Sequence, residues 1–548
     1  MRKNLYVIIV VIAFFSIQSC KKTGNGGGNT GGGTGTGTGT VNPDTVGVLK
    51  DAATMNGFPM GIAVEYALFK SNAAYANIIK REAAAVTFGY QMKHGAIVKD
   101  NGSFDFTGTD ELMTLCSNAG LEVFGHTLAW HQNQNGNYLR SLTVGNGSGG
   151  PNVLSGGDME AGTGTTGTGS SLFTGWNCLT GGTASATFSA VAGNGSARAM
   201  QVAVTTAGTN AYDVQAIGPS WNATVGGVYR VSVDIKSSVS GGKVRLVAQN
   251  TVYQQSDITT TTSWDTYTWT LTAGETSPMI RLNFPAAGTY TIDNISIVDI
   301  SNAPPPSGAQ IAASVDSALS RFIRAMVTRY AGKVKAWDVV NESMADGASG
   351  LRTNTGSSTG DAFYWAQYLG RDYALKAFQY AKAADPNALL FINDYNLEYN
   401  PAKLDSLINY VNELKAKGAK IDGIGTQMHI AINTSTTAID NMFKKLAATG
   451  LKVRVSELDI RVNPNDEANF FAGSSVLTAQ ADMYKYVARS FIQNVPVAQR
   501  HGFTVWGVAD NDSWILTSQK KQDAPLLFDN SYNKKQAFYS LLLGLKGK

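Results

Sequence analysis

Histidine, cysteine and charge are all scarce in this chain of 548 residues. It has five histidines and three cysteines, and only 15% of its residues are charged. No His-Glu-x-x-His run or Cys/His spacing of a zinc cage is present, which argues against a metal centre. With a net charge of +4 and no Lys/Arg cluster interleaved with aromatics, there is no footprint for nucleic acid. The apolar run from Leu5 to Ile17 falls short of the roughly 20 residues that a membrane span needs. Cys116 and Cys178 fall in segments of different texture and read as small buried apolar residues rather than a disulfide.

What is abundant is glycine, threonine and aromatic residues, a composition suited to an extracellular binding surface. The opening "MRKNLYVIIVVIAFFSIQSC" has a basic start, a short apolar run and then small residues, so residues 1–20 read as an export signal. "SIQSC" resembles a bacterial lipoprotein box. That resemblance implies lipidation at Cys20 and a membrane partner, with the protein at the outer membrane or cell surface and the periplasmic face still open. Residues 21–45 are a Gly/Thr tract that cannot bury a core. As a flexible tether it would reach roughly 20–25 Å.

From Val46 onward, short apolar runs alternate with amphipathic stretches. The runs are "MGIAV", "AAVTF", "LEVFGHT", "VKAWDVV", "LLFIND", "IDGIGTQ", "KVRVSE" and "FTVWGVAD". Eight strands separated by helical patterns imply parallel pairing, and hence an α/β chain folded as a (β/α)8 TIM barrel. One connection, residues 143–306, is too long for a loop. Its segments "VYRVSVDIKSS", "KVRLVAQN", "WDTYTWTLTA" and "YTIDNISIVDI" alternate with period two between Gly, Ser and Asn. They predict an inserted antiparallel β-sandwich of jelly-roll type, flanked by hinges at Gly145–Gly150 and Ala303–Pro306. The barrel would then occupy 46–142 and 307–548. The insertion leaves after a strand, on the face where such barrels place their sites.

The strands end in polar or aromatic residues: His126, Asn341 and Glu342, Asp394, Gln427 and His429, Glu457 and Asp459, and Trp506. So many polar ends converge on one barrel mouth. Glu342 ends strand four and Glu457 strand seven, and paired carboxylates across a mouth are the equipment of a glycosidase.

The motifs "GHTLAWH", "WDVVNE", "INDYN", "IDGIGTQMH", "VSELDI" and "TVWGVADNDSW" resemble glycoside hydrolase family 10, the endo-β-1,4-xylanases. The insertion, opening "NVLSGGDMEAG" and closing "YTIDNISI", resembles carbohydrate-binding modules of the family 4, 9 and 22 group. The arrangement and leader are similar to xylanases of Bacteroidetes. The resemblance implies Glu342 as acid/base and Glu457 as nucleophile, with His429 and Asp459 supporting the nucleophile. It implies Asn341, His126, Lys93 and Gln427 on the sugar at the cleavage position, Trp506 and Trp514 as aromatic walls, and Tyr395 beside the leaving sugar. Trp130 reads as wall or core. No cofactor is implied for catalysis. Glu160 and Asp293 match positions that hold a structural Ca2+ in related modules, and Trp176 and Tyr253 are the module's candidate sugar platforms. The implied partner is xylan or a decorated xylo-oligosaccharide, and the implied state a monomer.

The resemblance departs in three places. In "TFGYQMKH", Gly89 and Tyr90 stand where the family has Glu and Asn, and His94 replaces Trp. "QNQNGNY" replaces the stretch usual after "WH", and Ile515 follows Trp514 where Arg is frequent. Tyr90 offers a stacking surface instead of the lost hydrogen bonds, and the space above Gly89 reads as vacated. These changes predict that short linear xylo-oligosaccharides are poorer substrates than long or branched xylan. Two other readings stay open: a hydrolase of another β-1,4-glycan, and a weakly active or non-catalytic surface glycan-binding protein.

Overall fold

The computed structural model describes residues 46–143, 150–239, 241–301, 306–347, 350–353 and 360–548. The leader, the tether, Cys20 and most of both expected hinges lie outside them.

Eight strands with almost no exposed residue set the architecture. They are β1 (Met60–Val64), β2 (Ala85–Phe88), β3 (Glu122–Gly125), β4 (Val334–Asn341), β5 (Leu389–Asp394), β6 (Gly423–Thr426), β7 (Lys452–Arg461) and β8 (Arg500–Val505). Strands buried on both faces read as continuous apolar runs, and this favours parallel pairing under a coat of helices. Neighbours pair in parallel in chain order, β8 pairs with β1, and β6 with β7 also, so the sheet closes into a barrel. A short extra strand, His429–Ala431, runs beside the end of β7 and sets His429 opposite Asp459.

The helices between strands begin where the chain supplies caps. Ser307 and Gln310 form a reciprocal capping box on Gly308–Arg329. Asn72, Asn400 and Ser435 cap Ala73–Glu82, Pro401–Ala416 and Thr436–Ala448. Inside the barrel Arg454 lies 3.5 Å from the Phe124 ring centroid and donates to Thr87 and Thr504 hydroxyls at 3.2 and 2.7 Å. β8 starts and ends earlier than the sequence pattern predicts. Gly507, at φ +132°, takes the chain out of the sheet, so Trp506 stands just beyond the strand.

Residues 150–301 form two five-stranded antiparallel sheets around a separate apolar core. One runs Gln254–Thr260, Gly242–Ala248, Met279–Asn283, Val214–Ser220, Asn177–Thr180; the other Asp265–Thr272, Val228–Ser237, Gly288–Asp299, Ala199–Thr206, Ser185–Val191. Arg321 of the barrel donates to Asp265 at 2.6 Å, tying one sheet edge to the barrel. Cys116 and Cys178 are both buried free thiols, one in each core, and burial pushes both up to about 12.

Trp176 is corrected here. It is 0% exposed and its indole N–H donates to the Gly156 carbonyl at 2.8 Å, so no glycan can reach it. An indole is among the largest apolar surfaces a chain can bury, and this one went into the core. Tyr253, by contrast, is 50% exposed.

Candidate active site

The strand ends converge as their positions predict, and the polar contacts among them define the site. Glu342 follows β4 with φ +56°, a conformation non-glycine residues rarely take. Its N–H donates to the Asn393 carbonyl at 2.7 Å, which fixes this turn against β5. Its Oε1 accepts from Gln427 at 3.1 Å and from Asn341 at 3.2 Å. Burial raises the Glu342 pKa, opposed in part by the side-chain N–H groups of Trp130 and Gln427 and reinforced by the charges of Asp394 and Glu457. His131 stands 3.9 Å from the other oxygen, and burial pushes its pKa down to about 3, so it brings no positive charge to Glu342.

Glu457 is the opposite case. It is 5% exposed, and burial alone would raise its pKa. The neighbouring His126, His429 and Lys93 outweigh burial and hold it below the usual carboxylate value. His429 lies between two acids, with Nε2 3.4 Å from Glu457 and Nδ1 2.9 Å from Asp459. Burial works against its charge, but Asp459 and Glu457 push its pKa up to about 10. Trp514 donates to the same Asp459 oxygen at 2.8 Å and packs 5.1 Å from the His429 ring.

An amide bridge joins the two acids. Asn393 Nδ2 donates to Asn341 Oδ1 and to Glu457 Oε1, both at 2.8 Å, while its own oxygen accepts from Ser456 at 2.7 Å. Gly425 makes this possible, since a Cβ there would sit 2.2 Å from Asn393 Oδ1. Nearby, His126 Nδ1 pairs with buried Asp338 at 2.9 Å, leaving Nε2 without a protein partner. The Trp506 ring packs edge-on to His126 at 5.5 Å, and Lys93 Nζ rests 4.7 Å over Trp130. Trp130 is thus wall rather than acid or base.

Beyond Glu342, Arg352 donates to the Glu342 carbonyl at 3.1 Å and to the Tyr395 hydroxyl at 2.8 Å, and that hydroxyl donates to Asp346. Asp394 turns away from the mouth to a buried pair with Lys403 at 2.9 Å, a support behind Tyr395. His94 is core: it is 1% exposed, accepts from the Asn135 N–H, and burial pushes it down to about 3. Tyr90 is 41% exposed at the rim. The space above Gly89 is not vacant, because the Glu65 carboxylate reaches into it.

Sequence reasoning missed Asn393, Asp338, Arg352 and Glu65. Asp338 and Asn393 did carry a signal, since a polar side chain inside a buried strand must find a partner. Glu65 carried the same signal as the other strand ends, a polar break straight after Val64, and was passed over; Arg352 sits in polar loop sequence with none.

Glycosyl hydrolase family 10 matches residues 48–150 and 303–543, more than half of the chain, and passes over the sandwich. The chain belongs to this family. Endo-1,4-beta-xylanase A of Cellvibrio japonicus (strain Ueda107) is 37% identical to this family 10 chain over 244 residues, 42% of this chain and 40% of its own. The endo-1,4-beta-xylanase of Geobacillus stearothermophilus is 36% identical over 231 residues, 41% of this chain and 66% of its own. The chain therefore spans less than two thirds of these relatives. Native xylanase 10B from Thermotoga maritima shares the fold, with a TM-score of 0.54 over 91% of this chain and 98% of that one, at 19% identity.

For calcium, Glu160 and Asp293 do face one loop, 193–198, but both Asp293 oxygens and one Glu160 oxygen already accept hydrogen bonds. Asp293 accepts from Asn194 N–H, the Ser196 hydroxyl and its neighbour Asn294 N–H, and Glu160 accepts from Arg198 N–H. Among the described residues no group of three metal-ligating side chains gathers. Two engaged carboxylates do not fit the six to eight oxygens calcium takes.

Proposed function

We propose that this family 10 chain is an endo-1,4-β-xylanase that cleaves internal links of xylan with retention of configuration. The observation that carries it is the opposed pair at one barrel mouth, linked through Asn341 and Asn393: burial favours neutral Glu342, while a cationic imidazole beside Glu457 favours its anion. Glycosyl transfer through two carboxyl groups needs that difference.

In the first step a Glu457 oxygen bonds to the anomeric carbon as the bond to the leaving sugar breaks. Glu342 gives its proton to the departing oxygen, and Arg352 with Tyr395 lines the leaving side. Esterified Glu457 no longer carries charge, so one cause of the raised Glu342 pKa disappears and its carboxylate becomes a base. It then takes a proton from water as the water oxygen attacks the same carbon and releases Glu457. Asn341, His126, Lys93 and Gln427 hold the reacting ring, against Trp506 and Trp514.

In this reading the inserted sandwich is a glycan-binding module, with Tyr253 its candidate platform. The chain is a monomer held at a membrane through Cys20, and catalysis needs no cofactor. The test is reducing-sugar release from glucuronoxylan and arabinoxylan, against cellulose and mixed-linkage β-glucan, by wild type, Glu342→Ala and Glu457→Ala. Release from xylans alone, lost in both variants, is expected. Preferential release from cellulose or β-glucan rejects the substrate, and release that survives both substitutions rejects the site.

A further inference from the structure

β1 ends at Val64, and the backbone of the next residue is fixed. The Glu65 N–H donates at 2.9 Å to the hydroxyl of Tyr75, a fully buried ring. The side chain then leans over β2. A Cβ built on Gly89 would lie 2.5 Å from Glu65 Oε1, so the carboxylate occupies the volume where any other residue at 89 would carry its side chain. Gly89 is absent from the positive-φ residues, so its backbone does not demand glycine; the neighbour does.

Two groups at this spot have no hydrogen-bonding or ionic partner, although the Lys93 ammonium rests over the Trp130 ring. The Glu65 carboxylate makes no hydrogen bond or ion pair, and neither does the Lys93 ammonium, which is 7% exposed. An open carboxylate needs no explanation, but a buried unpaired ammonium does. Burial lowers the Lys93 pKa, and the charges of Glu457, Glu342 and Glu65 oppose it, so the ammonium shares the field of the reacting acids and of Glu65. The carboxylate is open to solvent, yet surrounding protein still raises its pKa, with Lys93 opposing, as for a group inside a bowl. An acceptor beside a donor matches adjacent hydroxyls of a pyranose ring.

The side is set by topology. β1 lies opposite β5 in the ring of eight, and β5 leads to Tyr395 and, through Arg352, to Glu342. The leaving sugar lies on Glu342's side, so Glu65 faces the part of the chain that stays with Glu457.

We infer that Glu65 is a specificity residue for the sugar one unit beyond the reacting ring on its non-reducing side, where its carboxylate accepts hydroxyl hydrogen bonds and disfavours an acidic substituent. This rests on the xylanase reading. Aryl β-xyloside and aryl β-xylobioside separate the two, because only the second reaches past the reacting ring. The ratio of their kcat/KM values, xylobioside over xyloside, should fall about ten-fold in Glu65→Ala. Gly89→Ala should lower it in the same direction, since its methyl displaces the carboxylate while residue 65 is unchanged. Glu65→Gln, which keeps an acceptor without charge, should lose less and gain on glucuronoxylan relative to unsubstituted xylan. Thermal melts of each variant check folding. A ratio equal to wild type in both Glu65→Ala and Gly89→Ala overturns the assignment while leaving the xylanase reading intact. Wild type that cleaves neither aryl glycoside overturns both.

Discussion

The barrel mouth and the inserted sandwich bury polar and aromatic groups for opposite ends. In the sandwich, Asp234 and Asp293 sit at a sheet seam with their oxygens taken up by Asn194, Ser196, Thr266 and Asn294. Two of its four indoles, Trp176 and Trp221, are core, while Trp264 and Trp269 are half-buried. At the barrel mouth the groups are aimed at a shared space and left incomplete: Lys93 unpaired, His126 with one free nitrogen, Trp506 and Trp514 half-buried. A buried polar group without a partner costs free energy unless something arrives to complete it. The sandwich has unpartnered polar atoms too, Trp221 Nε1 and Tyr267 Oη among them, but they are sealed in its core, whereas the incomplete groups of the barrel mouth border a space that a substrate can enter.

The sharpest way to break this contrast is to remove the acids. Glu457→Ala should lower kcat on xylan by on the order of 10^4-fold or more, and added azide should restore turnover with inverted product. Glu342→Ala should cost roughly 10²- to 10⁴-fold, and less on aryl glycosides whose leaving groups need no proton. Steady-state assays on both substrate types check each variant.

In the sandwich the same truncation should act on folding instead. Trp176→Ala should destabilise by about 3–5 kcal/mol, read in urea melts of the whole chain, with kcat on a soluble aryl xylobioside kept. The smaller effects concern pH. Activity requires ionised Glu457, so it falls as pH drops through the lowered pKa of that group. It also requires protonated Glu342, so it falls again as pH rises through a pKa lifted above the ordinary value. His429 remains cationic through the neutral range, its pKa being about 10. His429→Gln should therefore move the acid limb of kcat/KM upward by about one pH unit and leave the alkaline limb in place. Smallest of all, Tyr253→Ala should change stability by under about 0.5 kcal/mol while weakening retention on xylan in affinity gels.

Most of the barrel was legible because buried parallel strands are continuous apolar runs, and all eight fall within a few residues of their predicted places. The ends that face the mouth were legible as polar breaks in those runs. Trp176 was not, because it lies in irregular chain where no periodicity says which way a ring points. Asn393 was hidden by its size: a short amide in "LLFIND" shows its role only once Gly425 is known to clear space beside it. Glu65 was hidden for the same reason, as its meaning depends on a missing side chain 24 positions away, just past the end of the next strand. The chain pattern reports elements well and reports vacancies between them poorly.

The most direct test is to trap the attacking group. A 2-deoxy-2-fluoro xylobioside with a good leaving group, followed by peptide mapping in a mass spectrometer, should place one sugar on Glu457. A label on any other residue, or turnover to an inverted product with no label, would contradict the account.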